Sequence, residues 1–300
     1  MLSNIYAVLK IYEKEGKLKL SEGTLLPVLK QLSYNPNEEI ENVGKLLSAN
    51  ECLYTYKDAA HYVIFSDLNE VLLPRLSSYY DEFSHLVSLY PKAGSFQFNW
   101  AVSAAPQDQL PSSYDVTLPL KNVLVKEVIG FGTPVVIPQK VNKAFDHFPM
   151  NNWIYDQHQH VPLDRNQSWV VKYIFPVYNP ALRNISIPLY FQPPTGFYFK
   201  MMQDFKLKVK KRARVYNHFK SLPQHKHFQP QMEACLRIQQ LRSVPYTCVN
   251  QRKCLPKFSE DIRECTVLKR RFNYADFGAN RHIYSSGGDE FHHEHSCLIY

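Results

Sequence analysis

The sequence predicts an α/β sandwich, in which helices cover a β-sheet. Amphipathic helices and apolar strands alternate along the first hundred residues, which is the order typical of this fold class. The chain has 300 residues and is 45% hydrophobic, so it is long and apolar enough to bury a large core. Twenty Tyr against ten Gly favour packed strands over a flexible array of repeats.

The first two helices are predicted from periodicity and caps. Apolar residues recur at helical spacing over residues 2–12, and Gly16 follows where such a helix should stop. Asn35 supplies an N-cap and Pro36 a first helical residue, so we expect a long helix that ends near Tyr56.

The next elements complete the alternating pattern. Residues 62–66 read Tyr-Val-Ile-Phe-Ser, a short apolar run typical of a buried strand in the middle of a sheet. Ser78 can cap a third helix, which Pro91 ends. Residues 96–102 then alternate in polarity as a half-buried strand does.

The second half is less regular. We expect short strands over residues 123–129 and 135–137, and loops with edge strands between 150 and 200. Residues 206–214 carry six Lys or Arg and dominate the formal net charge of +8. We interpret this run as a solvated helix face or linker, with phosphate, membrane-surface or nuclear-import roles as alternatives.

The cysteines favour disulfides over zinc. Cys52 lies alone, five others crowd the last quarter of the chain, and no Cys-x-x-Cys pair is present. Asn166 and Asn184 begin glycosylation sequons, which agrees with an oxidising, lumenal compartment. No run of about 18 apolar residues and no signal peptide occurs, so we expect a membrane anchor upstream of Met1.

The strongest chemical feature is the acidic segment that follows the strand at 62–66. Asp67 and Asn69 are two apart, and on an extended segment their side chains would face one divalent cation. Such a cation assists departure of a nucleoside diphosphate. The sequence His292-His293-Glu294-His295 lacks the spacing of a helical zinc motif, and we interpret it as a solvated polar tail.

These features together resemble the nematode members of glycosyltransferase family 92. The first block that carries the resemblance comprises Ile-Tyr-Glu-Lys-Glu-Gly at 11–16, Asn-Pro at 35–36, Cys52-Leu-Tyr-Thr-Tyr-Lys57 and the acidic strand exit. A second block comprises Gly132-Thr-Pro-Val-Val-Ile-Pro138 and His147-Phe-Pro149, and the C-terminal cysteine pattern continues the likeness.

The resemblance implies a GT-A-like three-layer sandwich with a mixed central sheet and a cysteine-rich, mostly irregular C-terminal tail. The implied glycosyltransferase domain covers residues 1–220, with its first strand upstream of Met1, and the cysteine-stapled subdomain covers residues 221–300.

The implied activity is metal-dependent transfer of a hexose, galactose in particular, from a UDP-sugar to a glycan or glycoprotein on the lumenal side of the Golgi membrane. Manganese is the implied ion. Asp67 and Asn69 would hold it and the donor, and His147 would close the metal site. Asp146, Asp156 and Asp164 are candidate general bases, and the sequence does not choose among them.

Two other functions stay open. Asn69 stands in place of the second acid of the family's Asp-x-Asp, and Lys172-Tyr173-Ile174 stands where a His-aromatic-Arg is expected. Both substitutions favour an inactive pseudo-glycosyltransferase that binds glycan or donor. The basic run with nearby Tyr216 and Phe219 would instead suit a nucleic-acid-binding protein, whereas the enzyme hypothesis predicts no nucleic-acid partner.

Overall fold

The structure is a computed structural model of the whole chain. It describes residues 3–21, 23, 25–30, 32–40, 44–104, 124–144, 158–164, 169–174, 187–188, 195–211, 229–241, 254, 265–278 and 281–294. The chain forms two compact units, one of residues 46–208 and one of residues 1–45 with 209–300. The expected division at residue 220 stays a prediction.

The first unit is built on a mixed seven-stranded sheet. Its strands are β1 (Val63–Ile64), β2 (Glu70–Leu73), β3 (Ala93–Ala104), β4 (Leu124–Val136), β5 (Gln159–Pro162), β6 (Trp169–Ile174) and β7 (Ile187–Pro188). Five of them follow the order β1-β4-β3-β6-β2, while β5 also pairs with β3 and β7 with β4. The β3–β5 and β3–β6 pairs are parallel and the other pairs are antiparallel.

A helix packs on each face of this sheet. Helix α3 (Tyr79–Leu89) buries Phe83 and Leu86 in a cluster with Phe96, Phe98 and Val135. Ser78 caps it as predicted, because the Ser78 hydroxyl accepts the Asp81 N–H. Helix α2 (Lys45–Tyr56) buries Leu53 against Val136 and Val141. Since neighbouring residues of a strand face opposite sides, Val135 and Val136 place α3 and α2 on opposite faces. The predicted α/β class with a mixed sheet is confirmed, and the GT-A-like assignment stays a prediction.

The first strand was predicted in the wrong place. Residues 62–66 contribute only β1, which pairs with β4 at an end of the strand order and is only partly buried. The central position belongs to β3, which has β4 on one side and β5 and β6 on the other. The apolar composition of residues 62–66 reflects packing of one short strand on both of its faces. Val63 and Phe65 pack against the α2 cluster, and Tyr62 and Ile64 pack against the α3 cluster.

The helix expected from Asn35 to Tyr56 is also different. Asn35 caps a 3₁₀ helix of three residues, Pro36–Glu38, and α2 begins only at Lys45. Gly44 adopts a φ of 77°, a left-handed conformation that interrupts an α-helix. The cap and the helix end were predicted correctly, but they belong to different helices.

Residues 93–98 of β3 are buried on both faces of the strand rather than on one. Phe96 and Phe98 are fully buried on one face, and Ser95 and Gln97 are 0% and 5% exposed on the other. The alternation of polar and apolar residues was read correctly, but the polar residues do not face solvent. They belong to a buried polar cluster described below.

Strand β4 carries a bulge beside β3. Gln97 pairs with Pro134 and Asn99 with Phe131, so Gly132 and Thr133 together oppose the single residue Phe98. A Cβ atom at Gly132 would lie 1.8 Å from the Phe98 carbonyl oxygen. Only glycine permits this close contact between the two backbones. The contact therefore fixes the backbone position of the next residue, Thr133.

Helix α4 (Thr195–Lys211) includes the predicted basic segment as far as Lys211, while Arg212 and Arg214 lie outside the described residues. In the part of the chain that the structure describes, no helix combines the length and the apolar character needed to cross a bilayer.

The second unit contains more regular structure than its sequence predicts. Helix α1 (Ser3–Lys14) ends at Gly16, which has a φ of 67° as its C-terminal position requires. Helix α5 (Gln229–Leu241) carries Cys235, which is bonded to Cys254. Strands β8 (Cys265–Asp276) and β9 (His282–Glu294) form a long antiparallel ribbon. The expectation of a mostly irregular tail is therefore wrong for the described residues.

One further expectation about this region needs correction. His292 and His293 are solvent-accessible, but residues 292–294 do not form a tail, because they pair with β8, and Nδ1 of His293 lies 3.3 Å from the Ser3 hydroxyl oxygen. Cys265 is disulfide-bonded as well, whereas Cys52 of the first unit is a free thiol.

Replacing Gly132 by Ala should destabilise the protein by about 2 kcal/mol or more, because the added methyl group overlaps backbone that cannot rotate away. Thermal or urea unfolding measures the loss. Gly287→Ala is the matched control: its Cβ would meet the side-chain oxygen of Asn273 at 2.9 Å, and that side chain can move. Equal stability of the two variants would contradict the tight contact.

Candidate functional site

The candidate site is centred on a tight turn between β1 and β2. The Glu70 N–H donates to the Asp67 carbonyl over 3.0 Å, and the Asp67 N–H donates to Oε2 of Glu70 over 3.1 Å. Two hydrogen bonds between Asp67 and Glu70, one in each direction, therefore close the turn. Asp67 is half-buried, and Leu68 and Asn69 are exposed.

The turn corrects one step of the sequence argument. Asp67 and Asn69 were expected to share a side because they were placed on an extended strand. Strand β1 ends at Ile64, and both residues lie in the turn instead. Their proximity rests on a four-residue turn and not on strand alternation.

Glu70 is the buried acid of the site, with 7% of its surface exposed. Its Oε2 atom accepts the Thr133 hydroxyl over 2.8 Å as well as the Asp67 N–H. Hydrogen bonds to an ionised acceptor are stronger than neutral ones, and a buried carboxylate needs such partners. Thr133 is itself fully buried, in the bulge of β4.

The sheet brings this turn beside strand β6, which carries residues 172–174. Strand β2 pairs with β6 so that Glu70 lies opposite Lys172. Residues 172–174 are those that stand in place of the expected His-aromatic-Arg. Their backbone therefore neighbours the Asp67 turn, although the two segments are about a hundred positions apart in the sequence.

A second polar cluster lies on the face of β3 that carries Ser95 and Gln97. Nδ1 of His160, on β5, is 2.9 Å from the Ser95 hydroxyl, and Nε2 is 3.0 Å from Oε1 of Gln97. The Gln97 amide donates to the Gly132 carbonyl over 3.4 Å. Because Oε1 of Gln97 can only accept, the neutral His160 ring carries its proton on Nε2.

Burial lowers the pKa of His160 to about 4 from the ordinary 6.5. The ring is therefore neutral near pH 7. It forms hydrogen bonds to Ser95 and Gln97 in a fixed position, and its pKa is too far below 7 for a general base at neutral pH.

The bulge connects the two clusters. Gly132 accepts from Gln97 through its carbonyl, and the next residue, Thr133, donates to Glu70. Hydrogen bonds thus link His160 on β5 to Gly132 and Thr133 to the Asp67 turn, and Gly132 and Thr133 are joined by a peptide bond. Bulges commonly re-aim a side chain next to a functional site, and this one aims Thr133.

The structure describes only two of the three predicted metal ligands. Asp67 and Asn69 share the turn, and their oxygen atoms are donors of the kind that hard divalent cations accept. His147 lies outside the described residues, as do Asp146 and Asp156. Asp164 is exposed and follows β5 closely. Within the described ranges, no three His, Cys, Asp or Glu side chains gather into a metal-binding group.

Several residues of this region were missed. Gln97 was assigned to a solvent face, and Ser95, Thr133 and His160 received no role of their own. The alternation of apolar and polar residues in β3 indicates a strand with two different faces, but it does not show whether the polar face is exposed or buried. The sequence contains no comparable signal for His160 or Thr133, since their partners lie on other strands.

The low pKa of His160 has a consequence for stability. The neutral ring stabilises the fold fully above pH 6.5, and this contribution is lost as the pH falls toward about 4, because the unfolded chain then binds a proton that the native ring resists. Thermal unfolding from pH 7.5 to 4 should show that His160→Gln lowers the melting temperature at pH 7.5 and that the difference from wild type shrinks on acidification. Replacement of the exposed His85 by Gln is the control, and a pH-independent difference for His160→Gln would contradict the interpretation.

Comparison with known proteins gives one consistent result. The sequence profile of glycosyltransferase family 92 matches residues 1–233. A family 92 glycosyltransferase protein of Caenorhabditis elegans is 25% identical over 155 residues, which are 51% of this chain and 31% of that protein. A second one from the same nematode is 29% identical over 115 residues, covering 38% and 22%. A third is 27% identical over 154 residues, covering 49% and 30%.

The aligned segments thus span less than a third of the length of these curated relatives. The family profile, in contrast, covers most of this chain and includes the Asp67 turn, the bulge of β4 and strand β6. The chain belongs to glycosyltransferase family 92.

Proposed function

We propose that this protein is a glycosyltransferase that moves a hexose, galactose in the first instance, from a UDP-sugar to a glycan or glycoprotein acceptor with the help of manganese. The observation that carries the proposal is membership of family 92 together with the Asp67 turn inside the matched region. Donor, acceptor and metal are parts of the proposal.

The residues of the turn suit the leaving-group side of such a reaction. Asp67 offers a carboxylate and Asn69 offers an amide oxygen. Both are hard oxygen donors, and both belong to the same turn of four residues, 67–70. A divalent cation bound there would neutralise the diphosphate that leaves the sugar. Asp67 and Asn69 would hold that cation, with His147 as the proposed third group.

The acceptor hydroxyl needs a base within about 3 Å of its proton. Of the three proposed aspartates, Asp164 lies in the described residues, is exposed, and follows Leu163, whose carbonyl accepts from the Asn99 amide over 2.8 Å. This bond ties the backbone before Asp164 to the central strand. It supports Asp164 as a group held in a constant position.

We also propose the lumenal side of the Golgi membrane as the location. The Cys235–Cys254 disulfide supports an oxidising compartment, because disulfides are rare in reducing ones.

A second candidate is a protein that binds donor or glycan without turnover. Asn69 favours it, because an amide contributes a ligand oxygen but no charge, so a cation is held less firmly than by two carboxylates. The segment Lys172–Ile174 on β6 favours it too, since it lacks the expected His and Arg.

Replacing Asp67 by Asn should lower sugar transfer by the full-length protein at least about a hundredfold, because it removes the one carboxylate that the turn presents. A radiolabelled-donor assay in manganese measures the loss. Asp58→Asn, a nearby exposed position, is the matched control. Unchanged turnover of the Asp67 variant would eliminate the mechanism.

Replacing Asn69 by Asp should tighten manganese binding roughly tenfold, since a carboxylate replaces an amide beside Asp67. Calorimetric titration measures the affinity, and Asn273→Asp on β8 makes the same charge change in the other unit. Tighter binding with raised turnover supports the enzyme, whereas tighter binding without any turnover supports the second candidate.

A further inference from the structure

Glu70 is placed where it could serve either as a metal ligand or as a support for one. It is adjacent to Asn69 in the sequence, and its carboxylate would replace the charge that Asn69 lacks. The geometry argues against the ligand role. Oε2 of Glu70 already accepts from the Asp67 N–H and the Thr133 hydroxyl, and the side chain is buried.

We propose that Glu70 and Thr133 are positioning residues that hold Asp67 in its cation-binding orientation without binding the cation themselves. This inference rests on the proposed function, because it assigns the support of the same metal site. It adds two residues to which the sequence comparison and the predicted ligand set give no role.

The first step of the argument is the closure of the turn. The Asp67 N–H and the Asp67 carbonyl both bond to Glu70, one to its side chain and one to its backbone N–H. Both backbone groups of Asp67 are therefore held, which fixes the position from which its side chain extends. A turn without the Glu70 carboxylate would keep only the backbone bond.

The second step is the fixation of Glu70. Its backbone pairs opposite Lys172 on β6, and its carboxylate reaches Thr133 on β4. These two anchors lie on strands that are separated by β3 in the sheet. The position of the Glu70 side chain therefore depends on two contacts, the backbone pairing with β6 and the hydrogen bond to β4.

The third step is the rigidity of Thr133. It follows Gly132, whose backbone lies too close to the Phe98 carbonyl for any side chain, and it is 0% exposed. Gln97 holds the Gly132 carbonyl. The hydroxyl of Thr133 therefore has little freedom, and it can act as a fixed donor. Groups that orient a ligand in this way typically change metal affinity or activity by 10–100-fold when they are removed.

The experiment compares three variants of the full-length protein with wild type. Thr133→Val removes the hydroxyl but keeps the branched shape, and Thr133→Ser keeps the hydroxyl as the matched control. Glu70→Gln removes the charge and retains a single acceptor oxygen. Two quantities are measured: hydrogen exchange of the Asp67 amide in metal-free protein, resolved to single residues, and Mn²⁺ affinity from the electron paramagnetic resonance signal of free ion.

We expect Thr133→Val to speed exchange of the Asp67 amide about tenfold, because local opening of the turn becomes easier, and to weaken Mn²⁺ binding about tenfold. Glu70→Gln should change both quantities in the same direction, while Thr133→Ser should stay within about threefold of wild type. Slower or unchanged exchange in Thr133→Val would overturn the proposal. So would weaker Mn²⁺ binding in Glu70→Gln with normal binding in Thr133→Val, since Glu70 would then be a ligand.

The two proposals fail separately. Absence of Mn²⁺ binding by wild-type protein would contradict the proposed function. The exchange rates of the metal-free variants would then decide alone whether Thr133 and Glu70 hold Asp67 in place.

Discussion

The structure of the first unit depends on the burial of residues 93–98 in the first half of β3. This stretch is paired along both edges and buried on both faces, so its polar side chains cannot rely on water. A buried amide or hydroxyl without a partner costs roughly 1–3 kcal/mol. Ser95 and Gln97 therefore require partners from neighbouring strands, and they find them in His160 of β5 and the Gly132 carbonyl of β4.

This requirement explains why the site is assembled from distant parts of the sequence. Gln97 fixes the bulge of β4, the bulge aims Thr133, and Thr133 meets the carboxylate that closes the Asp67 turn. The apolar face of the same strand carries Phe96 and Phe98, which pack against α3. One strand thus organises both the core and the polar network that reaches the exposed turn.

The site distributes its negative charge unevenly. Asp67 lies at the surface of the turn, Asn69 is neutral, and Glu70 is held behind the turn with two hydrogen bonds. In the proposed site, the Glu70 carboxylate therefore acts through the turn that it closes at Asp67 and not as a ligand of the cation.

The sequence predicted those features that depend on neighbouring residues. Ser78 as a cap, Gly16 as a helix end and the strand around Phe96 are decided within a few positions, and all three are confirmed. Pairing between distant strands has no such local signal. For that reason residues 62–66 were placed in the centre of the sheet, although β1 lies at an end of the strand order.

The same distinction applies to the site. Asp67 and Asn69 could be selected because acids and amides after an apolar strand are visible in the sequence. The reason for their proximity was wrong, since a turn replaces the extended segment. The role of Thr133 could not be predicted, because it depends on a bulge that places two residues opposite Phe98.

The free thiol of Cys52 has a consequence for the handling of the protein. It is partly buried on α2, and burial raises its pKa, with the nearby Glu51 carboxylate adding to the effect. Because the thiolate is the attacking species in disulfide exchange, a raised pKa keeps the reactive fraction small at neutral pH. The native Cys235–Cys254 pairing can therefore coexist with an unpaired cysteine in the same chain without rapid scrambling.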